Sequence, residues 1–166
     1  IGENNKPGTD LFIESIQFDS VYIYALNEPL PLAYQPTRIL DVNGYNPRSF
    51  FSDKIIEQNV LSGCAYIDKS LLNLQILSET ELRDDLVKLH VERIPNGYLI
   101  DIYSDRVSST IINVPYNPWW RARDEKGREL LVLEANKFQT FISVPHSASK
   151  IELIYKRPQV SCYKFL

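Results

Sequence analysis

Tyr116-Asn117-Pro118-Trp119-Trp120-Arg121-Ala122-Arg123 is the one constellation in this chain with the makings of a site. Read as a strand over 119–124, its side chains alternate between two faces. Trp120 and Ala122 share an apolar face suited to a core. Trp119, Arg121 and Arg123 share the other, with Tyr116 just ahead of them. An aromatic plate beside two guanidinium groups suits stacking on a sugar ring, with charge-assisted hydrogen bonds to hydroxyls, carboxylates or phosphates. The expected contact of Tyr116, Trp119, Arg121 and Arg123 is a glycan or a lipid headgroup. The same residues also fit a plain surface, with Trp119 covering a strand end and the arginines paired to Asp124, Glu125 or Glu129.

No catalytic residue is expected. The sequence has no GxSxG elbow, HExxH helix, phosphate-cradling GxxxxGK[ST], dinucleotide GxGxxG or EF-hand loop. His90 falls on the polar side of its strand, and nothing links it or His146 to a nucleophile. Carboxylates are plentiful, and glycosidase pairs do sit on β scaffolds, but no spacing singles out a pair. The acidic run 79–85 reads as a solvated loop and not as a metal site. Cys64 and Cys162 lie outside any CxxC or Cys/His cluster, so neither a zinc site nor another cofactor is expected. They either form one long-range disulfide or remain unpaired core thiols.

A formal net charge of −3 argues against a general nucleic-acid binder, which needs a basic surface to displace counterions. The same charge gives no attraction to an anionic lipid surface. An apolar fraction of 44% with 23% charged residues is that of an ordinary globular domain, and 166 residues suffice for one sizeable core. No apolar run is long enough to span a bilayer, and no signal peptide is recognisable. The chain opens at Ile1 and holds no methionine, so it reads as a piece of a longer or processed protein.

The elements that must position these residues are strands. Residues 1–10 are polar, and a starting linker is expected over 1–18. Val21–Leu26 has the β-branched and aromatic content of a strand. Pro29, Pro31 and Pro36 keep the chain extended ahead of a strand near 37–42. Asn46-Pro47 predicts a helix over 47–58, with Phe51, Ile55 and Ile56 at helical spacing. Gly63 then leads to a strand over 64–68, and 70–79 suit either a strand or a buried helix. From Leu86 the period is two: Val87, Leu89 and Val91 alternate with Lys88, His90 and Glu92. After the Pro95-Asn96-Gly97 turn, strands are expected over 98–103, 107–114, 119–124, 130–134, 138–144 and 151–155. Phe138, Thr140, Ile142 and Val144 should face one way, and Gln139, Phe141 and Ser143 the other. Many short strands at near-regular spacing predict an all-β fold, a jelly-roll-like antiparallel β-sandwich over 19–158 with one or two short helices.

An ordered set of short motifs adds a resemblance. Tyr24-Ala25-Leu26-Asn27-Glu28-Pro29-Leu30-Pro31-Leu32-Ala33-Tyr34 is followed by the Tyr116–Ala122 stretch and by Glu125-Lys126-Gly127-Arg128. Glu134-Ala135-Asn136-Lys137-Phe138-Gln139, Val144-Pro145-His146-Ser147 and Ile154-Tyr155-Lys156-Arg157-Pro158 complete it. In order and approximate spacing over 20–158 this resembles the C-terminal extracytoplasmic region of YfhO-type bacterial multi-pass membrane proteins, relatives of lipid-linked-sugar glycosyltransferases. Three positions depart from that pattern. Leu32 stands for an arginine, Trp119 for a glycine, and His146-Ser147-Ala148-Ser149 lacks the turn glycine. The resemblance implies a non-catalytic accessory domain on the extracytoplasmic face of the cell membrane, structural or acceptor-engaging in cell-envelope polymer glycosylation. It implies a catalytic acid elsewhere in the parent, a membrane-embedded remainder as partner, and 159–166 leading towards a membrane helix. A free-standing carbohydrate-binding or adhesion module and a jelly-roll glycoside hydrolase stand as alternatives.

Overall fold

The computed structural model describes residues 12–18, 21–26, 30–43, 45, 50, 53–72, 86–103 and 107–157. The chain forms two compact units, Ile1–Leu30 and Pro31–Leu166. In the first, β1 (Phe12–Phe18) pairs antiparallel with β2 (Val21–Leu26), Ile16 lying opposite Ile23, with a register shift between Phe12 and Glu14. β1 falls within the stretch expected as linker over 1–18, and β2 within the domain expected over 19–158. The polarity of 1–10 masks a stretch, FIESIQF, that is itself rich in β-formers and has a matching strand just beyond it.

The second unit is an all-β sandwich of two five-stranded antiparallel sheets. The first runs, in spatial order, β11 (Glu129–Leu130), β10 (Trp120–Asp124), β14 (Lys150–Tyr155), β8 (Gly97–Asp101) and β7 (His90–Ile94). The second runs β12 (Val132–Ala135), β13 (Gln139–Ser143), β9 (Ser109–Pro115), β3 (Ala33–Gln35) and β6 (Val87–Lys88). Inward residues of both sheets build one core: Ile100, Ala122, Ile151 and Leu153 from the first, Ala33, Ile112 and Ile142 from the second. Removing each of these isoleucine and leucine side chains from water contributes about 1.5–3 kcal/mol, which is what makes the alternation binding on the fold.

The second sheet is buried on its other face too. Tyr34, Ile111 and Phe141 are neighbours across β3, β9 and β13, and all three are fully buried. A further layer lies there, since β5 (Ala65–Ile67) packs against β12. β5 pairs in parallel with β4 (Ile39–Asp41), and the helix α1 (Lys54–Leu61) connects them. Both faces of β13 are therefore interior, and Gln139 and Thr140 are as buried as Phe141 and Ile142.

The helix differs from its sequence expectation. It starts at Lys54, where Asp53 caps it by accepting from the N–H groups of Ile55 (2.9 Å) and Ile56 (3.4 Å). It ends in a Schellman arrangement, Cys64 N–H donating to Asn59 O (2.9 Å) and Gly63 N–H to Val60 O (3.0 Å), with Gly63 at φ +86°. Ile56 packs against Phe50 and Tyr66, whereas Ile55 is 69% exposed. The expected apolar face thus reduces, among the described residues, to Ile56 with Val60 beside it.

Two expected strands are each divided between sheets. Val87 and Lys88 pair with β3, yet His90–Ile94 pair with β8, and the buried Leu89 between them donates its N–H to Ala33 O (3.0 Å). Likewise Leu130 pairs with Ala122 in the first sheet and Val132 with Ile142 in the second, the crossing falling at Leu131. Alternation runs unbroken through the first crossing, and the second falls within the continuous apolar run Leu130–Leu133, so the period reveals neither. Of the ambiguous stretch 70–79, Ser70 and Leu71 lie in a 3-10 turn (Lys69–Leu71), while 73–79 and the acidic run 79–85 lie outside the described residues. No helix among the described residues is long and apolar enough to cross a membrane.

A candidate anion-binding groove on the outer sheet

β10 holds its inward face in the core through Ala122, with Trp120 packed partly buried against it. The Trp120 indole N–H donates to Pro115 O (3.0 Å), fixing the ring. Trp119, Trp120, Tyr155 and Tyr98 meet at this end of the sheet, with ring centroids 5.3–6.1 Å apart along the chain of contacts. With Trp120 turned inward, Arg121 and Arg123 must point outward, as the alternation predicts.

There they line an open groove of about 660 Å³ together with Ala122, Glu129, Ile154, Lys156 and Arg157. Among the described residues, four cations thus face one lining carboxylate. A second carboxylate, Glu152, bonds Arg123 at its Nε. Cross-strand register explains that pairing: Arg123 lies opposite Glu152 on β14 and opposite Glu129 on β11. Arg123 is therefore ion-paired to Glu152, with Glu129 at the facing register position, and the Glu152 contact raises its pKa further.

Arg121 is different. Its Nη1 donates to the carbonyls of Pro118 (2.7 Å) and Trp120 (2.8 Å), and among the described residues no carboxylate pairs with it. Arg157 stacks its guanidinium on the Trp119 ring, 5.7 Å from the centroid. Lys156 stands opposite Trp119, its N–H donating to the Trp119 carbonyl (3.0 Å).

Of the four residues singled out in the sequence, Arg121 and Arg123 are brought together. Trp119 joins them only through Arg157, for which it is a platform. Tyr116 does not line the groove; its N–H donates to Phe138 O (2.8 Å) at the end of β9. The ion pairs expected for a plain surface also differ: Asp124 is bonded by Arg128 (2.5 Å), and Glu125 accepts from the N–H groups of Ser149 (3.1 Å) and Lys150 (3.3 Å). Sequence reasoning missed Lys156 and Arg157. The dibasic pair closing the last strand was the available signal, but only the β10–β14 pairing places it beside Arg121.

Three carboxyl groups among the described residues are more acidic than usual. Asp68 is lowered by hydrogen bonds from the Ser70 hydroxyl, the Asn43 amide and the Ser70 N–H. Burial opposes ionisation of Asp124, but the N–H groups of Arg128 and Lys126 and the Arg128 guanidinium outweigh it. Glu125 is lowered by backbone N–H groups, its own first. A general acid needs the opposite shift. Among the described residues no group of three or more His, Cys, Asp and Glu gathers to hold a metal. Cys64 is a free, buried thiol, and Cys162 lies outside the described residues. His90 is exposed.

Searches of protein-family models, characterised proteins and solved structures return no match to this chain.

Proposed function

We propose that this chain is a non-catalytic accessory domain that engages an anionic glycan or lipid headgroup through the Arg121 groove. The observation that carries the reading is the groove itself, where Arg121, Lys156 and Arg157 gather beside an Arg123 already paired to Glu152. Its volume lies within the range of small-ligand sites, and its polar lining is cationic. Local surplus positive charge on a chain of net charge −3 selects for anions at this one face.

The ordered motifs supply the setting. Their resemblance to YfhO-type proteins supports a place on the extracytoplasmic face of the cell membrane, as part of a polytopic protein related to lipid-linked-sugar glycosyltransferases. In that setting the groove would meet the acceptor polymer or the lipid-linked donor, with chemistry carried by the membrane-embedded remainder.

Titration with anionic and neutral oligosaccharides, followed by tryptophan fluorescence, tests the contact, because Trp119 reports on Arg157. A saturable change with anionic sugars at about millimolar concentration is expected, a range typical of weak sites. A flat response overturns the reading. A full reading frame encoding hydrophobic spans around this segment supports the membrane setting; one encoding an ordinary secreted protein favours the free-standing module.

A further inference from the structure

Building on the proposed groove, we infer that its ligand group is a phosphate ester, recognised at the Arg121–Lys156–Arg157 end, and that Arg123 takes no part in recognition. A guanidinium has five N–H donors in a fixed plane. Both donors of Arg121 Nη1 are spent on the carbonyls of Pro118 and Trp120. The remaining Nε–Nη2 edge is the one that planar and tetrahedral oxyanions accept from in a bidentate manner. The two carbonyls hold that edge in place beforehand, so little side-chain freedom is lost when an anion docks.

Charge count separates phosphate from carboxylate. A carboxylate has two coplanar oxygens, and one arginine edge satisfies both. That leaves Lys156 and Arg157, which line the same groove, with no anion to meet. A phosphate ester offers oxygens diverging from a tetrahedral centre and up to two negative charges. Two of its oxygens can take the Arg121 edge while a third takes the Lys156 ammonium. Arg157, carried on Trp119, adds a third positive charge. Arg123 is excluded by its bonding: its Nε is occupied by Glu152, and Glu129 lies opposite on the other side.

The phosphate could sit on a soluble or polymeric sugar or on a lipid headgroup, and the test separates them. Binding is measured by calorimetry and ³¹P NMR with a sugar 1-phosphate, the corresponding uronic acid, the neutral sugar and inorganic phosphate. Sedimentation with phosphatidylglycerol and phosphatidylcholine vesicles completes the set. The sugar phosphate or the phosphatidylglycerol vesicle should bind at least about tenfold more tightly than the uronic acid, reflecting the additional charge-assisted bonds. Equal binding of uronic acid and sugar phosphate overturns phosphate selection while leaving a glycan contact standing. Tight binding of the neutral sugar alone overturns the anionic site, and binding in no arm removes the proposed function with it. Arg121→Lys keeps the charge but lacks the fixed edge, and should weaken phosphate binding about tenfold. Arg123→Gln combined with Glu152→Gln removes the ion pair without changing net charge, and should change phosphate binding less than about twofold. Both arginine positions are exposed, and circular dichroism of each variant checks the fold. Wild-type affinity in Arg121→Lys, or a large loss in the Arg123→Gln/Glu152→Gln pair, overturns the assignment.

Discussion

Asn136, in the turn between β12 and β13, accepts the backbone N–H of Tyr66 on β5 at 2.7 Å, and its amide nitrogen donates to the Cys64 carbonyl at 3.2 Å. One fully buried side chain thereby satisfies two backbone groups of another layer. Its own backbone N–H donates to Tyr66 O (2.9 Å), so the edge of β5 is bound to this turn by main chain and side chain together. Asn136 sits at φ +52°, where asparagine is among the few residues tolerated without strain.

Asn136→Ala leaves the Tyr66 N–H and Cys64 carbonyl buried and unpaired, each costing about 1–3 kcal/mol. Urea denaturation should show a loss of roughly 2–5 kcal/mol. Asn136→Gly removes the same bonds but relieves the left-handed backbone, and should lose about 1 kcal/mol less. A loss below about 1 kcal/mol in both variants would mean the layer is held by packing alone.

The Tyr34 hydroxyl is enclosed and, among the described residues, makes no hydrogen bond of ordinary geometry. Burial raises its pKa, against a smaller opposing pull from the Gln139 amide. The unfolded chain releases this proton near pH 10 while the folded chain keeps it, so stability falls as pH rises above about 10. Tyr34→Phe should be neutral or stabilising by up to about 1 kcal/mol at pH 7, since an unmet polar group is removed. Its melting temperature should also decline less between pH 10 and 11 than that of the wild type. Destabilisation at pH 7 would show that the hydroxyl has a partner of consequence.

Asp124 works in the opposite sense. Its folded pKa lies below the usual aspartate value, so its contribution to stability is present above about 3.8 and lost as pH falls through the folded value. Asp124→Asn removes the Arg128 ion pair and that portion of the acid dependence together. Melting curves from pH 5 to 2 should be flatter for the variant, with a lower starting point at pH 5. Parallel curves would place the acid sensitivity elsewhere.

Gly97 closes the hairpin of β7 and β8 and pairs with Ile154 on β14. A Cβ there would stand 2.0 Å from the Leu153 carbonyl oxygen, which is backbone and cannot turn aside. Gly97→Ala should force β8 from β14 at this end and cost roughly 2–4 kcal/mol, as overpacking of a tight site does. A variant with unchanged denaturant midpoint would show that the strands part without penalty.

Much of the sandwich was legible because alternation specifies which residues leave water, as with Trp120 and Ala122 against Arg121. The helix start was not, because Asn46-Pro47 and Asp53 both carry capping chemistry and local preference cannot rank them. The β4–α1–β5 layer was also hidden: a parallel pair depends on a contact between Ile39 and Ala65 that no turn signal announces. The site was half legible. Arg121 and Arg123 are equivalent on β10 alone, and what distinguishes them is Glu152 and Lys156, supplied by a strand about thirty residues downstream.

The crossings at Leu89 and Leu131 suture the sandwich. Each gives one half a stretch of chain whose continuation belongs to the other, so neither half can peel away while its counterpart stays intact. Melting of this unit should consequently register at the same temperature whether followed by indole emission at the groove or by amide hydrogen exchange in the strands of its two sheets.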